Sequence, residues 1–353
     1  MRRFSVTATN FTRQFSSKST VINLSKESQE VFSAYYSKVK DFFETHPHSK
    51  LKTRNEAVIK SGVSFLRSNL LAADKNLQKE IDHIKNLDPE IISIPNIPLL
   101  DFNLDKFPDC KSDLESQKFL QETITSTVTI CCWADLFGIE FHRPTFIFND
   151  PSAAPYEFVN TDKNLEWHND GWQLSTNDQI DRYSKLLFLG ILQEKRTFTE
   201  VLTVKDITEH LQEIGRGDLL KKLQEEHFFG YDIHDDYTQI MGPILGIDGV
   251  ARFSSRAAAS IRSSGNDHVI EFAEILNTIK PSFEISMKLG DLLLVDNLRT
   301  LHQRRVSENS QQQDQDKRLL LKLNAGLCIK QPSPTIQKAE SDVISPQNIS
   351  HNA

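Results

Sequence analysis

Apolar residues recur every four positions between Ser25 and His46, at Val31, Tyr35, Val39 and Phe43, which is the spacing of one face of an α-helix. A second stretch of helical spacing runs from Asn55 to Asp74 through Val58, Val63, Phe65, Leu66 and Leu70. Ile91 to Pro95 and Ile97 to Phe102 read as short extended pieces. A long helix then follows from about Asp113 to Phe137, carrying Phe119, Ile124, Val128, Ile130, Cys131 and Leu136. The first 140 or so residues are predicted to be mostly helical.

Beyond that point the pattern shortens. Pro144 to Phe148 and Trp167 to Leu174 are strand candidates, and Leu186 to Leu192 is a continuous apolar run suited to a buried strand. Val204 to Leu220 returns to helix, in two pieces broken at Gly215 to Gly217. Phe228 to Ile233, Thr238 to Ile244 and Val250 to Phe253 read as strands, and Val269 to Lys280 as a helix with Asp267 as its N-cap. A turn at Gly290-Asp291 precedes the strand Leu292 to Val295, and Arg318 to Leu323 with Leu327 to Ile329 complete the series. Gln331 to Ala353 is polar, carries three prolines and has no period, so it is expected to be disordered. Helices first and strands after predict an α+β protein: one domain over 21–330, helical over 21–140, with a double-stranded β-helix (jelly roll) core over about 141–330.

Composition narrows the function classes. The chain has 353 residues, enough for a sizeable core, and its 38% hydrophobic and 25% charged residues are ordinary for a globular protein. A formal net charge of −7 argues against broad nucleic-acid binding but leaves room for a local basic pocket. No apolar run reaches the length of a bilayer span, so no membrane partner is expected. Cys110, Cys131, Cys132 and Cys328 show no zinc or CxxC spacing and read as reduced intracellular thiols. Residues 1–20 contain Arg2, Arg3, Arg13 and Lys18 but no acid, with Phe4, Phe11 and Phe15 on one helical face. Such a segment predicts a mitochondrial transit peptide. Arg13-Gln14-Phe15-Ser16-Ser17 resembles the cleavage context of those peptides, and a disordered basic tail on a cytoplasmic protein fits the same residues.

The candidate chemistry lies in Glu166-Trp167-His168-Asn169-Asp170-Gly171 and, far downstream, at His302. On an extended strand, side chains two apart share a face, so His168 and Asp170 could point together. One distant histidine completes the two-His-one-carboxylate set of non-haem Fe(II) oxygenases, which leaves positions open for cosubstrate and O2. A single His-x-Asp is weak in a chain with eleven His and 48 acidic residues, and His234-Asp235-Asp236 competes directly. Arg318 strengthens the first set. Fe(II) needs a further electron source to activate O2 for C–H oxidation, and 2-oxoglutarate supplies one while its remote carboxylate needs a cation. Arginine offers that carboxylate a bidentate pair. Lys322 shares a strand face with Arg318 and Leu320, so it is a rival anchor, and a structural salt bridge is a third reading for either cation.

Taken together, these residues resemble the Fe(II)/2-oxoglutarate-dependent oxygenases of the taurine dioxygenase and clavaminate synthase type (TauD-like). Trp167-His168-Asn169-Asp170 looks like that family's proximal metal motif, and Asp296-Asn297-Leu298-Arg299-Thr300-Leu301-His302-Gln303-Arg304 is similar to its distal DN-x-R-x-x-H-G-R stretch. The separation of 134 residues (302 − 168) suits the family, whereas His234 would give only 68 (302 − 234). The resemblance implies that His168, Asp170 and His302 hold Fe(II), that Arg318 anchors 2-oxoglutarate, and that Thr199 sets a hydroxyl against it. It implies hydroxylation or desaturation of a small molecule, such as an amino acid or similar zwitterion. Trp172, Arg252, Arg256 and Arg262 are candidate pocket residues, with a structural role as the equal alternative for each. Two departures stand out. Gln303 replaces the usual glycine, and Ala251 to Arg256 lacks the aspartate that would grip a basic side chain, which argues against free arginine as substrate. An inactive jelly-roll binding or regulatory protein, and a metal-dependent hydrolase or isomerase, are the competing readings.

Overall fold

The structure is a computed structural model that describes residues 19–45, 56–99, 117–141, 145–148, 159–160, 165–171, 184–192, 197–225, 227–228, 241–255, 258, 267–306 and 319–327. The expected disordered tail and most of the basic N-terminal segment lie outside these residues. After a short strand β1 (Ser19–Val21) come three helices, α1 (Lys26–Thr45), α2 (Glu56–Ala73) and α3 (Lys75–Leu87). The first two follow the apolar spacing, burying Phe32, Tyr35 and Tyr36 from α1 and Val63, Leu66 and Leu70 from α2. Helix α3 was not anticipated, because Lys, Gln, Glu, Asp and His crowd a stretch whose apolar stripe is only Leu77, Ile81 and Ile84. Its start is set by Asp74, whose carboxylate accepts from the backbone N–H groups of Asn76 and Leu77.

Strand β2 (Ile91–Ile94), helix α4 (Gln117–Leu136) and strands β3 (Ile139–Phe141), β4 (Thr145–Phe148), β5 (Val159–Asn160) and β6 (Leu165–His168) follow. Next come β7 (Lys185–Leu192), β8 (Thr197–Thr203), α5 (Val204–Glu213), α6 (Gly217–Leu223), β9 (His227–Phe228), β10 (Met241–Gly242) and α7 (Asp267–Leu276). The series closes with β11 (Phe283–Ile285), β12 (Leu292–Asp296), β13 (Thr300–Val306) and β14 (Leu319–Leu327). No described helix is long and apolar enough to cross a membrane.

The strands form two main sheets. The larger has the order β1-β2-β12-β7-β14-β4-β5, with β3 also on β14, and the smaller is β11-β8-β13-β6. Alternation sorts their side chains into layers. Ile92, Ile94, Leu187, Leu189, Leu292, Leu294, Leu321 and Leu323 turn outward onto α1–α4, where Trp133 of α4 is wholly buried. Ile91, Leu186, Phe188, Leu293, Val295 and Leu320 turn inward and meet Val201 and Phe283 of the smaller sheet. The far face of that sheet, with Trp167, Leu202 and Leu301, packs on α5, α6 and α7. The layers are thus helix, sheet, sheet, helix.

Further sequence readings change. The expected strand Trp167–Leu174 ends at His168, so Asp170 and Gly171 form a turn, with Gly171 at φ +68°. Asp170 therefore does not share a strand face with His168. The expected strand Val250–Phe253 is instead loop held by isolated bridges, Leu245 to Ala251 and His168 to Ser254. Thr197–Thr203 and Thr300–Val306 form central strands that their many polar residues concealed.

Between β12 and β13 the chain passes from the larger sheet to the smaller through Asn297, Leu298 and Arg299. Asp296 organises this crossing. Its carboxylate accepts from Leu298 N–H (3.1 Å), Arg299 N–H (3.2 Å), Lys185 Nζ (2.8 Å) and Arg299 Nε (2.5 Å). Arg299 also reaches Asp88 at 3.0 Å. Burial would raise the Asp296 pKa, but Lys185 and Arg299 outweigh it and hold the group below the usual carboxylate range.

At the start of β12, Gly290 has φ +81°, and a Cβ there would lie 2.0 Å from Ile97 O. Gly290→Ala is expected to cost about 2 kcal/mol or more, read as a lower urea midpoint at constant slope. Asp296→Asn is expected to cost about 2 kcal/mol at neutral pH, because Lys185 loses its 2.8 Å charged partner and the Leu298 and Arg299 N–H groups lose a charged acceptor. Because the Asp296 pKa is depressed, its stabilisation is present above the unfolded-state value of about 4 and is lost as pH falls below it. Acid unfolding curves should therefore converge for the two proteins as pH drops below about 4.

Candidate metal centre

Residues 168 and 302 meet because β6 and β13 pair antiparallel with His302 opposite His168. Directly opposed residues project to the same face. The two imidazole centroids are 4.3 Å apart. Between His302 and Arg304 the register slips, because Leu165 rather than Glu166 stands opposite Arg304. The extra residue is a bulge in β6, which re-aims the end of that strand. There Glu166 O lies 2.7 Å from His168 Nδ1. A carbonyl can only accept, so Nδ1 carries the proton and Nε2 presents its lone pair.

Asp170 reaches the same point from the turn. Its Oδ1 lies 3.7 Å from His168 Nε2 and 3.9 Å from His302 Nε2. The three ligand atoms lie within 4.8 Å of one another, the one such group of His, Cys, Asp or Glu among the described residues. Cis ligands of an octahedral ion at about 2.1 Å would lie about 3 Å apart, so the spacing is open by roughly an ångström. Its Oδ2 is ion-paired with Lys322 of β14.

Two asparagines hold the turn in place. Asn169 is buried, accepts Phe253 N–H at its Oδ1 (2.8 Å) and donates its Nδ2 to Ala251 O (2.9 Å). Its own N–H bonds Phe253 O at 3.1 Å. Asn297, wholly buried in the sheet crossing, accepts Asp170 N–H at 2.9 Å and donates to Asp170 O at 2.8 Å. That amide imitates a strand partner for a single residue and ties the proximal and distal motifs directly together. Both asparagines stand inside the two metal motifs of the sequence, where residue order alone assigns neither a role. The signal available was that each is a polar residue adjoining a candidate ligand or the distal turn.

The protonation states suit a metal. Burial lowers the pKa of His168, only partly offset by Asp170, and lowers that of His302 much further, with His168 adding to the effect. Both rings are therefore neutral donors. Burial alone would raise the Asp170 pKa, but Lys322, His302 and His168 overcome it and keep the carboxylate ionised. The His302 side chain is 7% exposed, and its Nδ1 has no hydrogen-bond partner among the described residues. A buried ring nitrogen without a partner costs about 1–3 kcal/mol. Two neutral imidazoles and one carboxylate converging on one point fit a divalent transition metal.

The other expected site residues fall as follows. Thr199 is buried on β8, opposite Arg304 and two residues along from Val201, which opposes His302. It thus shares the face of the centre. Arg252 is half-buried in the loop that Asn169 holds. Lys322 is committed to Asp170, which favours the salt-bridge reading over its rival role as anchor. Gln303 turns to the opposite face and donates to Glu200 at 2.6 Å, so the missing glycine does not disturb the ligands. Arg318, Trp172, Arg256, Arg262 and His234 to Asp236 lie outside the described residues.

No protein-family model matches the chain, and no curated protein matches it in sequence. Solved structures do share its fold. One is an asparagine oxygenase in complex with Fe(II), 2S,3S-3-hydroxyasparagine and succinate, at 13% identity and a TM-score of 0.62, covering 87% of this chain and 93% of that one. Another is the non-haem iron oxygenase OrfP in complex with Fe, succinate and (3S)-hydroxy-L-Arg, at 14% identity and a TM-score of 0.55, covering 87% and 94%. The fold is that of these non-haem iron oxygenases, as the motif resemblance implied. At such low identity the likeness speaks for the fold alone.

Asn297→Ala would free the Asp170 backbone, and Asn297→Asp would set a carboxylate oxygen against the Asp170 carbonyl. Each is expected to weaken Mn(II) binding about tenfold or more, measured by chelator competition.

Proposed function

We propose that the protein is an Fe(II)- and 2-oxoglutarate-dependent dioxygenase that hydroxylates or desaturates a small-molecule substrate. The observation that carries this reading is a cluster of two histidines and one aspartate, largely shielded from solvent and brought together from motifs far apart in the chain. In this reading the two packed sheets are the halves of a jelly roll, with the centre at the mouth between them. His168, Asp170 and His302 hold the metal. When bound, Fe(II) with 2-oxoglutarate supplies the oxidising chemistry: O2 is consumed, succinate and CO2 are released, and a substrate C–H bond is hydroxylated or desaturated.

The chain's own residues supply orientation and exclusion of water. His168 is locked by Glu166 O with its free lone pair toward Asp170, so no tautomer change precedes metal binding. The Phe188 and His302 ring centroids lie 6.0 Å apart in an edge-on arrangement, which covers one side of the centre with inter-sheet core. Thr199, on the same face, is assigned to orient 2-oxoglutarate by its hydroxyl. Arg318, one residue before β14, is assigned to its remote carboxylate.

For the substrate class, we take an amino acid or similar zwitterion. The support is that the solved structures sharing this fold hold hydroxylated asparagine and hydroxylated arginine. The absence of an acid in Ala251–Ser255, the loop tied to Asn169, favours a substrate without a strongly basic side chain. The N-terminal targeting reading carries one constraint. Ser19–Val21 pairs with β2, so a removed leader that spares the sheet ends before Ser19.

The test is succinate release from 2-oxoglutarate under air with Fe(II), screened over amino acids and related metabolites. The unaltered protein should form succinate faster with its substrate than without it, and His168→Ala should form none above background. Equal turnover by the two proteins would sink the proposal. Metal binding with no succinate from any substrate pool would favour a binding protein instead.

A further inference from the structure

Lys322 sits where a cation is unusual. It stands on β14 opposite Phe188 of β7, in the larger sheet, while both histidines belong to the smaller one. Its neighbour on the same face, Leu320, is buried in the inter-sheet core. The Nζ lies 5.9 Å from the Phe188 ring centroid, and the side chain is 18% exposed. An ammonium in such a place needs an anion to offset its lost hydration. That anion is Asp170.

The two oxygens of Asp170 have separate partners. Oδ2 is ion-paired with Lys322, while Oδ1 faces both Nε2 atoms at 3.7 and 3.9 Å. With Oδ2 turned to Lys322 of the larger sheet, the carboxylate presents Oδ1 alone to the two rings. It is aimed as a single-oxygen ligand. The same ammonium is also a fixed positive charge a few ångströms from the point where the three donors converge, and it repels a divalent ion there.

We infer that Lys322 is a positioning residue of the metal centre: it orients Asp170 and, as a permanent cation, lowers the affinity for the divalent ion. The inference rests on the metal-centre reading. It makes Lys322 a determinant of how tightly and with what geometry the metal is held, rather than an anchor for a ligand carboxylate.

Mn(II) is the probe, because it favours such N/O sites and needs no exclusion of air. Binding is measured by chelator competition, and melting is followed with and without Mn(II). Lys322→Met removes the charge and leaves Asp170 without its cation. The chelator-treated variant should melt several degrees lower than the unaltered protein. It should nevertheless bind Mn(II) at least about tenfold tighter, so Mn(II) raises its melting temperature by more. Lys322→Arg keeps the charge and should bind Mn(II) much as the unaltered protein does. If Lys322→Met cannot be prepared without metal, Lys322→Gln carries the same comparison.

Equal or weaker Mn(II) binding by the neutral variants would overturn the inference, as would an equal drop in melting temperature with and without Mn(II). His168→Ala separates this from the underlying reading. If the unaltered protein binds Mn(II) no better than His168→Ala, the metal centre itself is refuted, and the role of Lys322 with it. If it binds better but the neutral variants do not differ from it, the centre stands and only the role of Lys322 falls.

Discussion

The architecture turns on a passage of three residues. Asn297, Leu298 and Arg299 carry the chain from the larger sheet to the smaller, through a wholly buried asparagine. Buried backbone in an irregular turn must find partners or lose stability. Here Asp296 supplies them to Leu298 and Arg299, Thr300 Oγ1 donates to Asp296 O at 2.7 Å, and Asn297 N–H bonds Ser184 O at 2.9 Å. The crossing also sets where β13 begins, and hence that His302 falls opposite His168. A slip of one residue would turn His302 to the helix-covered face and Leu301 into the space between the sheets.

Charge is handled the same way at both ends of this passage. Around the crossing, Asp88, Glu90 and Asp296 face Lys185 and Arg299. At the centre, Asp170 faces Lys322 and two imidazoles that burial keeps neutral. Interior ion pairs add little net stability, because desolvation consumes most of their attraction. Losing one partner is costly, however, and that asymmetry makes them effective at selecting one arrangement of the chain over its near neighbours.

Much of this was legible in residue order. The stripes Val31-Tyr35-Val39 and Val63-Leu66-Leu70 predicted helices, although Phe32 and Tyr36 beside the first are buried more deeply than Val31 and Val39, and the apolar run from Leu186 predicted the central strand β7. His168, Asp170 and His302 were found from spacing and motif. What stayed hidden has physical causes. Strands β8 and β13 carry Thr, Glu, Gln and Arg, because one face meets a polar site and the other holds the Glu200–Gln303–Arg305 cluster. No clean period survives in such strands. The placement of Asp170 on a turn came from the bulge and from Asn297, which depend on pairing between segments 127 residues apart. Lys322 could be put on a strand face by alternation, yet its partner lies on the turn after β6 of the other sheet, and alternation within one strand does not reveal that.

The layering also divides labour within the centre. All three candidate donors come from the smaller sheet or the turn that ends its β6, so their mutual spacing is fixed by one set of backbone pairings. Lys322 and Phe188 come from the larger sheet. Substitutions in β7 and β14 can therefore alter the charge, shape and carboxylate orientation at the donors while leaving the backbone pairings that bring the donors together untouched. A chain built this way can change what faces its candidate donors and keep the framework that assembles them, because the two are carried by separate strands.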